Sequence, residues 1–147
     1  MLRYLIKNGN MKQVLVFASS TFKVDSIVVK LCKNKIRAGA VHSKVGQQMR
    51  QTTLRQFKEG QLRVLVATDL LARGVDIEAL PHVINYELPR SPKDYVHRIG
   101  RTGRADSPGQ AISLVSPDEE HHYKVIQKKM KKLVALIDSI EMNLHGY

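Results

Sequence analysis

A single cysteine, Cys32, stands in the 147 residues, which excludes a disulfide framework and any zinc site built on several thiolates within one chain. It falls on a predicted helix among Val28, Val29 and Leu31, where a packed, unreactive thiol is expected. Long apolar runs are also missing. Arg3 and Lys7 open the chain without the apolar stretch of a signal peptide, and no segment approaches the ~20 apolar residues of a membrane span. A soluble cytoplasmic protein without membrane association is the expectation. There is no internal repeat, no low-complexity segment, and no GxGxxG after the first predicted strand, which weighs against a dinucleotide-binding Rossmann domain. Acidic residues are few: 13 Asp and Glu face 24 Lys and Arg, for a net charge of +11 and a pI near 10. That excess is more than solubility asks for and points to a polyanionic partner, nucleic acid first, with a merely soluble basic surface as the alternative. Composition does not choose between RNA and DNA.

What is present reads as one globular domain. Hydrophobic residues make up 43% and charged residues 25%, and a chain of this length buries about 70% of its unfolded surface without help from metal or disulfide. Short apolar runs alternate with segments of helical period, the pattern of an α/β fold with a parallel sheet. Strands are predicted at Val14 to Ala18, Ala38 to Val41, Val64 to Ala67, Val83 to Tyr86 and Ala111 to Val115. Val24, Ile27, Val28 and Leu31 form one helical stripe that Asn34 can end. Gln47 to Lys58 forms a second helix with Met49, Thr53 and Phe57 on one face and Leu54 beside them, stopped by Glu59-Gly60. Ser91-Pro92 and Ser116-Pro117 open two more helices through N-cap and first-turn proline chemistry. The last has an apolar stripe of Tyr123, Ile126, Met130, Leu133 and Ile137, opposite Lys124, Lys128, Lys131 and Lys132. Residues 1–10 are expected to be a loose lead-in, 11–132 the folded domain, and 133–147 a helix extension or tail.

The densest chemistry is His97-Arg98-Ile99-Gly100-Arg101-Thr102-Gly103-Arg104. Three arginines can meet phosphate oxygens while the glycines let the backbone turn, although a basic helix end in solvent would use the same residue types. This string resembles motif VI of the DEAD-box RNA helicases, ATPases of two RecA-like lobes, at all eight positions. Val66 to Ile77 resembles that family's motif V, Val14 to Phe17 its motif IV, Gln47 with Arg50 its QxxR pattern, and Asn85-Tyr86-Glu87-Leu88-Pro89 the segment between V and VI. The resemblance runs in the family's order from about Val14 to Val115. It departs at Ala18-Ser19-Ser20, where motif IV more often ends in threonine, and at Ser43, where many relatives have glycine. His42-Ser43-Lys44 is similar to RhlE-like bacterial members.

The resemblance implies a RecA-like parallel β-sheet flanked by helices, the C-terminal lobe of the helicase. It also implies roles for particular residues. Arg101 and Arg104 would act as arginine fingers on the ATP γ-phosphate, where developing negative charge needs a fixed cation. Asp76 would touch the ATP ribose, or pair with a motif VI arginine. His97 and Arg98 would couple the ATP site to the facing lobe and to RNA, or else pack locally. Thr68, Arg73, Gly74, Gln47, Arg50 and Ser20 would contact the RNA backbone, with turn, capping or solvated-face roles as the alternatives. His121 and His122, following Asp118-Glu119-Glu120, read as a solvated helix start, and no metal site is expected. The late lysines read as a solvated face.

The chain has no GxxxxGK[ST] phosphate loop, no DEAD sequence to hold Mg²⁺ and no adenine-reading Q motif. ATP and Mg²⁺ would therefore be bound mainly by an N-terminal RecA-like lobe, and the chain reads as one lobe of a longer enzyme. A DNA translocase and a non-enzymatic RNA-binding or helicase-binding module are the rival readings. An encoded lobe upstream would separate the last of these.

Overall fold

The computed structural model describes residues 1–69, 77, 79–102, 109–130 and 142. In chain order the elements are α1 (Leu2–Asn8), β1 (Val14–Phe17), α2 (Thr21–Lys33), β2 (Ala38–Val41), α3 (Gln47–Lys58), β3 (Val64–Ala67), β4 (His82–Asn85), α4 (Pro92–Ile99) and β5 (Gln110–Ser113). A 3₁₀ turn at Pro117–Glu119 then leads into α5 (Glu120–Met130). Among the described residues the strands form one parallel sheet in the order β2-β3-β1-β4-β5. This is the α/β architecture expected from the sequence.

The central strands explain their own composition. β1 reads Val-Leu-Val-Phe and β3 Val-Leu-Val-Ala, and every one of these residues is buried, because both faces of the sheet are covered. Val14, Val16, Val64, Val66 and Ile84 point into a core filled by Val24, Ile27 and Leu31 of α2. Leu15, Phe17, Leu65, Ala67 and Val83 point the other way, onto Phe57 of α3. Each such aliphatic or phenyl side chain contributes about 1.5–3 kcal/mol when fully buried. A smaller cluster of Leu88, Tyr95, Tyr123 and Ile126 joins α4 to α5.

β2 packs tightly under α3. A Cβ on Gly39 would lie 2.7 Å from Cγ2 of Thr53 and 2.8 Å from Cδ1 of Leu62, so glycine permits the close approach. The helix ends as its sequence suggests, with Glu59 at the cap and Gly60 at φ +81°, a backbone region that favours glycine.

Four expectations need correction. Residues 1–10, expected to be loose, contain α1, whose Leu2 and Ile6 are buried in the main core. The Arg63 guanidinium fixes the following turn, its Nε donating to the Met11 carbonyl at 2.5 Å and its Nη2 to the Ile6 carbonyl at 3.1 Å. Cys32 is exposed, since it follows Leu31 by one residue and is rotated about 100° off the buried stripe. Met49 is 60% exposed; it lies one turn nearer the helix start than Thr53, where the sheet is ending. His122 is only partly exposed. Its Nε2 donates to the Pro89 carbonyl at 2.7 Å, which clips α5 to the loop after β4. Leu133 and Ile137 lie outside the described residues.

Candidate nucleotide and nucleic-acid interface

In a parallel sheet all strands end on the same edge, and the loops that leave it share one surface. Ser20 follows β1, Gln47 and Arg50 open α3 after β2, Thr68 follows β3, and Glu87 follows β4. The N-termini of α2, α3 and α4 open from the loops on that edge, and free N–H groups at helix starts favour anions. Motifs scattered over about seventy residues of sequence thus converge on one side of the lobe.

At its centre sits Arg98, fully buried near the end of α4. Its guanidinium grips Asp69 with two bonds, Nε to Oδ1 at 2.5 Å and Nη2 to Oδ2 at 2.9 Å. Its Nη1 donates to the Glu87 carbonyl at 2.5 Å and to Oδ1 of Asn85 at 3.3 Å. The cation also lies 5.3 Å from the centroid of the Phe17 ring, a distance at which the ring quadrupole attracts it. One side chain therefore joins the ends of β1, β3 and β4. The Arg98 side chain is closed off from solvent, and its polar contacts run through Asp69, Asn85 and Glu87.

The amide of Asn85 is oriented from both sides, accepting from Arg98 and donating from Nδ2 to Oγ of Ser113 at 3.1 Å. That hydroxyl lies 3.2 Å from the Tyr95 hydroxyl. Beyond Tyr95, burial pushes the Tyr123 phenol above its usual value, and Tyr95 beside it adds to the shift. Ser19 Oγ and the Glu87 carboxylate are also bonded, tying the loop after β1 to that after β4. Asp69, Asn85, Ser19 and Glu87 stand within or beside the recognised strings, yet the sequence assigned them no role; their partners lie far away along the chain.

Motif VI turns immediately after this hub. The Leu80 N–H donates to the Arg101 carbonyl at 3.0 Å, and Thr102 Oγ1 donates to the Leu80 carbonyl at 2.5 Å. The Arg101 side chain is partly exposed from this braced turn, and His97 is likewise partly exposed. Arg104, Arg73, Gly74 and Asp76 lie outside the described residues.

The remaining candidates lie at the starts of α2 and α3 and just after β3. Ser20 is exposed and caps α2, its Oγ accepting from the Lys23 N–H at 3.1 Å. Arg50 Nη2 donates to Gln47 Oε1 at 2.7 Å, so the two side chains share one helix face. The Thr68 N–H reaches the Val41 carbonyl at 3.4 Å. His42, 4% exposed, lies between α2 and the start of α3: Nδ1 accepts from the Lys44 N–H at 3.2 Å, which leaves Nε2–H to donate to Asp25 at 2.9 Å. Among the described residues no cluster of three or more His, Cys, Asp or Glu could hold a metal ion, and no helix is long and apolar enough to cross a membrane.

The parallel sheet, the arginine hub and the basic turn define a RecA-like helicase lobe. Residues 1–106 match the family described as helicase conserved C-terminal domain, and the chain belongs to that family. It is 42% identical to the DEAD-box ATP-dependent RNA helicase CshC of Bacillus cereus over 87% of this chain and 33% of that protein. The ATP-dependent RNA helicase RhlB of Pseudomonas syringae is 40% identical over 89% and 33%. A DEAD box protein from Methanococcus jannaschii superimposes with a TM-score of 0.87 at 37% identity, covering 93% of this chain and 38% of that one. The chain thus spans about a third of the length of these curated relatives, which are ATP-dependent RNA helicases, and corresponds to their C-terminal domain.

Proposed function

We propose that this lobe works within an ATP-dependent RNA helicase, a cytoplasmic enzyme that closes on RNA and ATP and locally separates duplex RNA. An N-terminal RecA-like lobe holds ATP and its Mg²⁺, since the phosphate loop and the metal carboxylates have no counterpart in this sequence. Arg101 and Arg104 meet the γ-phosphate across the cleft, where negative charge grows in the transition state. Asp76 contacts the ribose, and His97 and Arg98 couple the two sites. Gln47, Arg50, Thr68, Arg73, Gly74 and Ser20 hold the sugar-phosphate backbone of one strand, binding RNA without reading its bases.

The observation that carries this reading is the Arg98 hub. By bonding Asp69, beside Thr68, to the helix that leads into Arg101, it ties together the two segments to which this reading assigns RNA and ATP. Movement of the lobe on RNA is then movement of the arginine on ATP, which is the coupling that a split site requires.

The test uses the enzyme with both lobes. Arg101→Ala or Arg104→Ala should lower kcat by roughly 10² or more with RNA affinity nearly unchanged, and Arg→Lys should restore only part of it, because an ammonium lacks the planar fork. RNA-stimulated ATP turnover is the readout. Near wild-type turnover in either alanine variant would remove that arginine from the catalytic role.

A further inference from the structure

The net charge is not spread along the chain. Residues 1–66 hold 13 Lys and Arg against Asp25 and Glu59 alone, which leaves 11 of each sign in residues 67–147. The half that contains motifs V and VI is therefore neutral, and the whole excess belongs to the first half.

Part of that excess gathers away from the edge described above. At the N-terminal ends of β1, β2 and β3 a cleft of about 520 Å³ opens among Lys12, Arg37, Lys58 and Arg63, with Glu59 as the one acidic side chain among the described residues that line it. Arg63 is held in place by the Met11 and Ile6 carbonyls, so one wall carries a fixed positive charge. Lys12 and Arg37 are exposed, as are Lys33 and Lys35, which lead along the chain into Arg37. The positive surface thus continues beyond the cleft. The four-residue strands separate it from the motif edge by about 13 Å at ~3.3 Å per residue.

The lining also tells what kind of partner fits. Among the described residues it contains no apolar or aromatic side chain. A protein partner would want an apolar centre, and an unstacked base would want a ring to lie on. Lysines and arginines without either suit a repeating phosphate, and a positive surface that extends past the cleft suits a polymer better than one compact anion.

We propose that this second edge is a sequence-indifferent binding surface for the RNA phosphate backbone, engaging RNA outside the helicase track. The proposal rests on RNA being the substrate of the whole protein. On this reading the first-half charge holds flanking RNA near the lobe, so that engagement of the motif edge becomes partly intramolecular.

The experiment measures single-stranded RNA binding by the 147-residue chain at several salt concentrations. Lys12→Glu with Arg37→Glu should weaken binding about tenfold at low salt and flatten the log K against log salt slope by up to ~1.4, at ~0.7 for each phosphate no longer neutralised. Lys124→Glu with Lys128→Glu, an equal change of charge on exposed positions of α5, is the control and should have a clearly smaller effect. Lys12→Gln with Arg37→Gln repeats the test without charge reversal, should the first variant fold poorly, and should flatten the slope in the same direction. An equal loss in the control would reduce the effect to bulk charge and overturn the site. So would a variant that loses tripolyphosphate binding but keeps RNA binding, since the ligand would then be a compact phosphate. Arg50→Ala reads the motif edge separately. If it weakens binding and the cleft variants do not, the helicase track stands and the second surface falls; the opposite pattern keeps the second surface and removes the Arg50 assignment.

Discussion

Each edge of the sheet is anchored by an arginine, and the two arginines do different work. Arg98, at the C-terminal edge, is met by a carboxylate, an amide, a carbonyl and an aromatic ring from three strand ends. Arg63, at the N-terminal edge, bonds to two main-chain carbonyls and meets no described acidic partner among its hydrogen bonds. The first cation is neutralised inside the lobe and serves to position; the second keeps its charge and adds to a basic wall. Counting cations along the sequence cannot separate these roles, because the difference lies in what each one touches.

The contrast is broken most severely at Arg98. Arg98→Ala leaves Asp69 and the Asn85 amide without their partner in a protected site, and loss of one member of such a pair costs about 3–5 kcal/mol. Asp69 is about one-third exposed, which places the expected loss towards the lower end. Urea denaturation of the chain measures it, and Arg98→Lys should recover only part because it cannot grip both carboxylate oxygens.

Arg63→Ala comes next. Two charge-assisted bonds to the carbonyls of the buried residues Ile6 and Met11 disappear, so a loss of about 1–3 kcal/mol is expected. The same denaturation experiment, with amide exchange across residues 2–11, should show α1 opening first. A loss equal to that of Arg98→Ala would erase the distinction between the two edges.

The smallest effect belongs to His82, the first residue of β4, where burial holds the imidazole below its ordinary value of 6.5. Above that pH both the folded and unfolded forms are neutral and the burial has no proton-linked cost. As pH falls below it, the unfolded chain takes the proton first, so stability declines until folded His82 protonates as well. Thermal unfolding from pH 8 to 5 should show a shallower decline for His82→Gln than for the unaltered chain. Identical profiles would remove His82 as a contributor.

Much of the framework is legible in the sequence. The runs at Ala38–Val41 and Val64–Ala67 and the helix Gln47–Lys58 have the predicted bounds, because short apolar runs and a periodic helix stopped by Glu59-Gly60 leave strong local patterns. β1, β4 and β5 shift by one or two residues at their ends, where the hydrogen-bond ladder rather than residue type sets the limit. α1 is not legible: seven residues without a side-chain cap give little local signal, and its helix is secured by the burial of Leu2 and Ile6. At the candidate site the family strings identify which side chains matter, while the pairing of Arg98 with Asp69 and Asn85 crosses 29 and 13 residues. No spacing rule predicts such partners, since the fold brings them together.

The strand order has a consequence for where a ligand can sit. The loops after β1 and β4 depart in opposite directions, towards β2 on one flank and β5 on the other, and in open parallel sheets that divergence leaves a crevice suited to small molecules. Here the crevice is plugged by the chain itself: Phe17, Arg98, Asn85 and the Glu87 carbonyl occupy its mouth, and Ser19 is bonded across it to Glu87. A nucleotide is thereby denied an interior berth. Under the proposed function, the lobe offers its chemistry as one bank of a channel whose other bank is the N-terminal lobe.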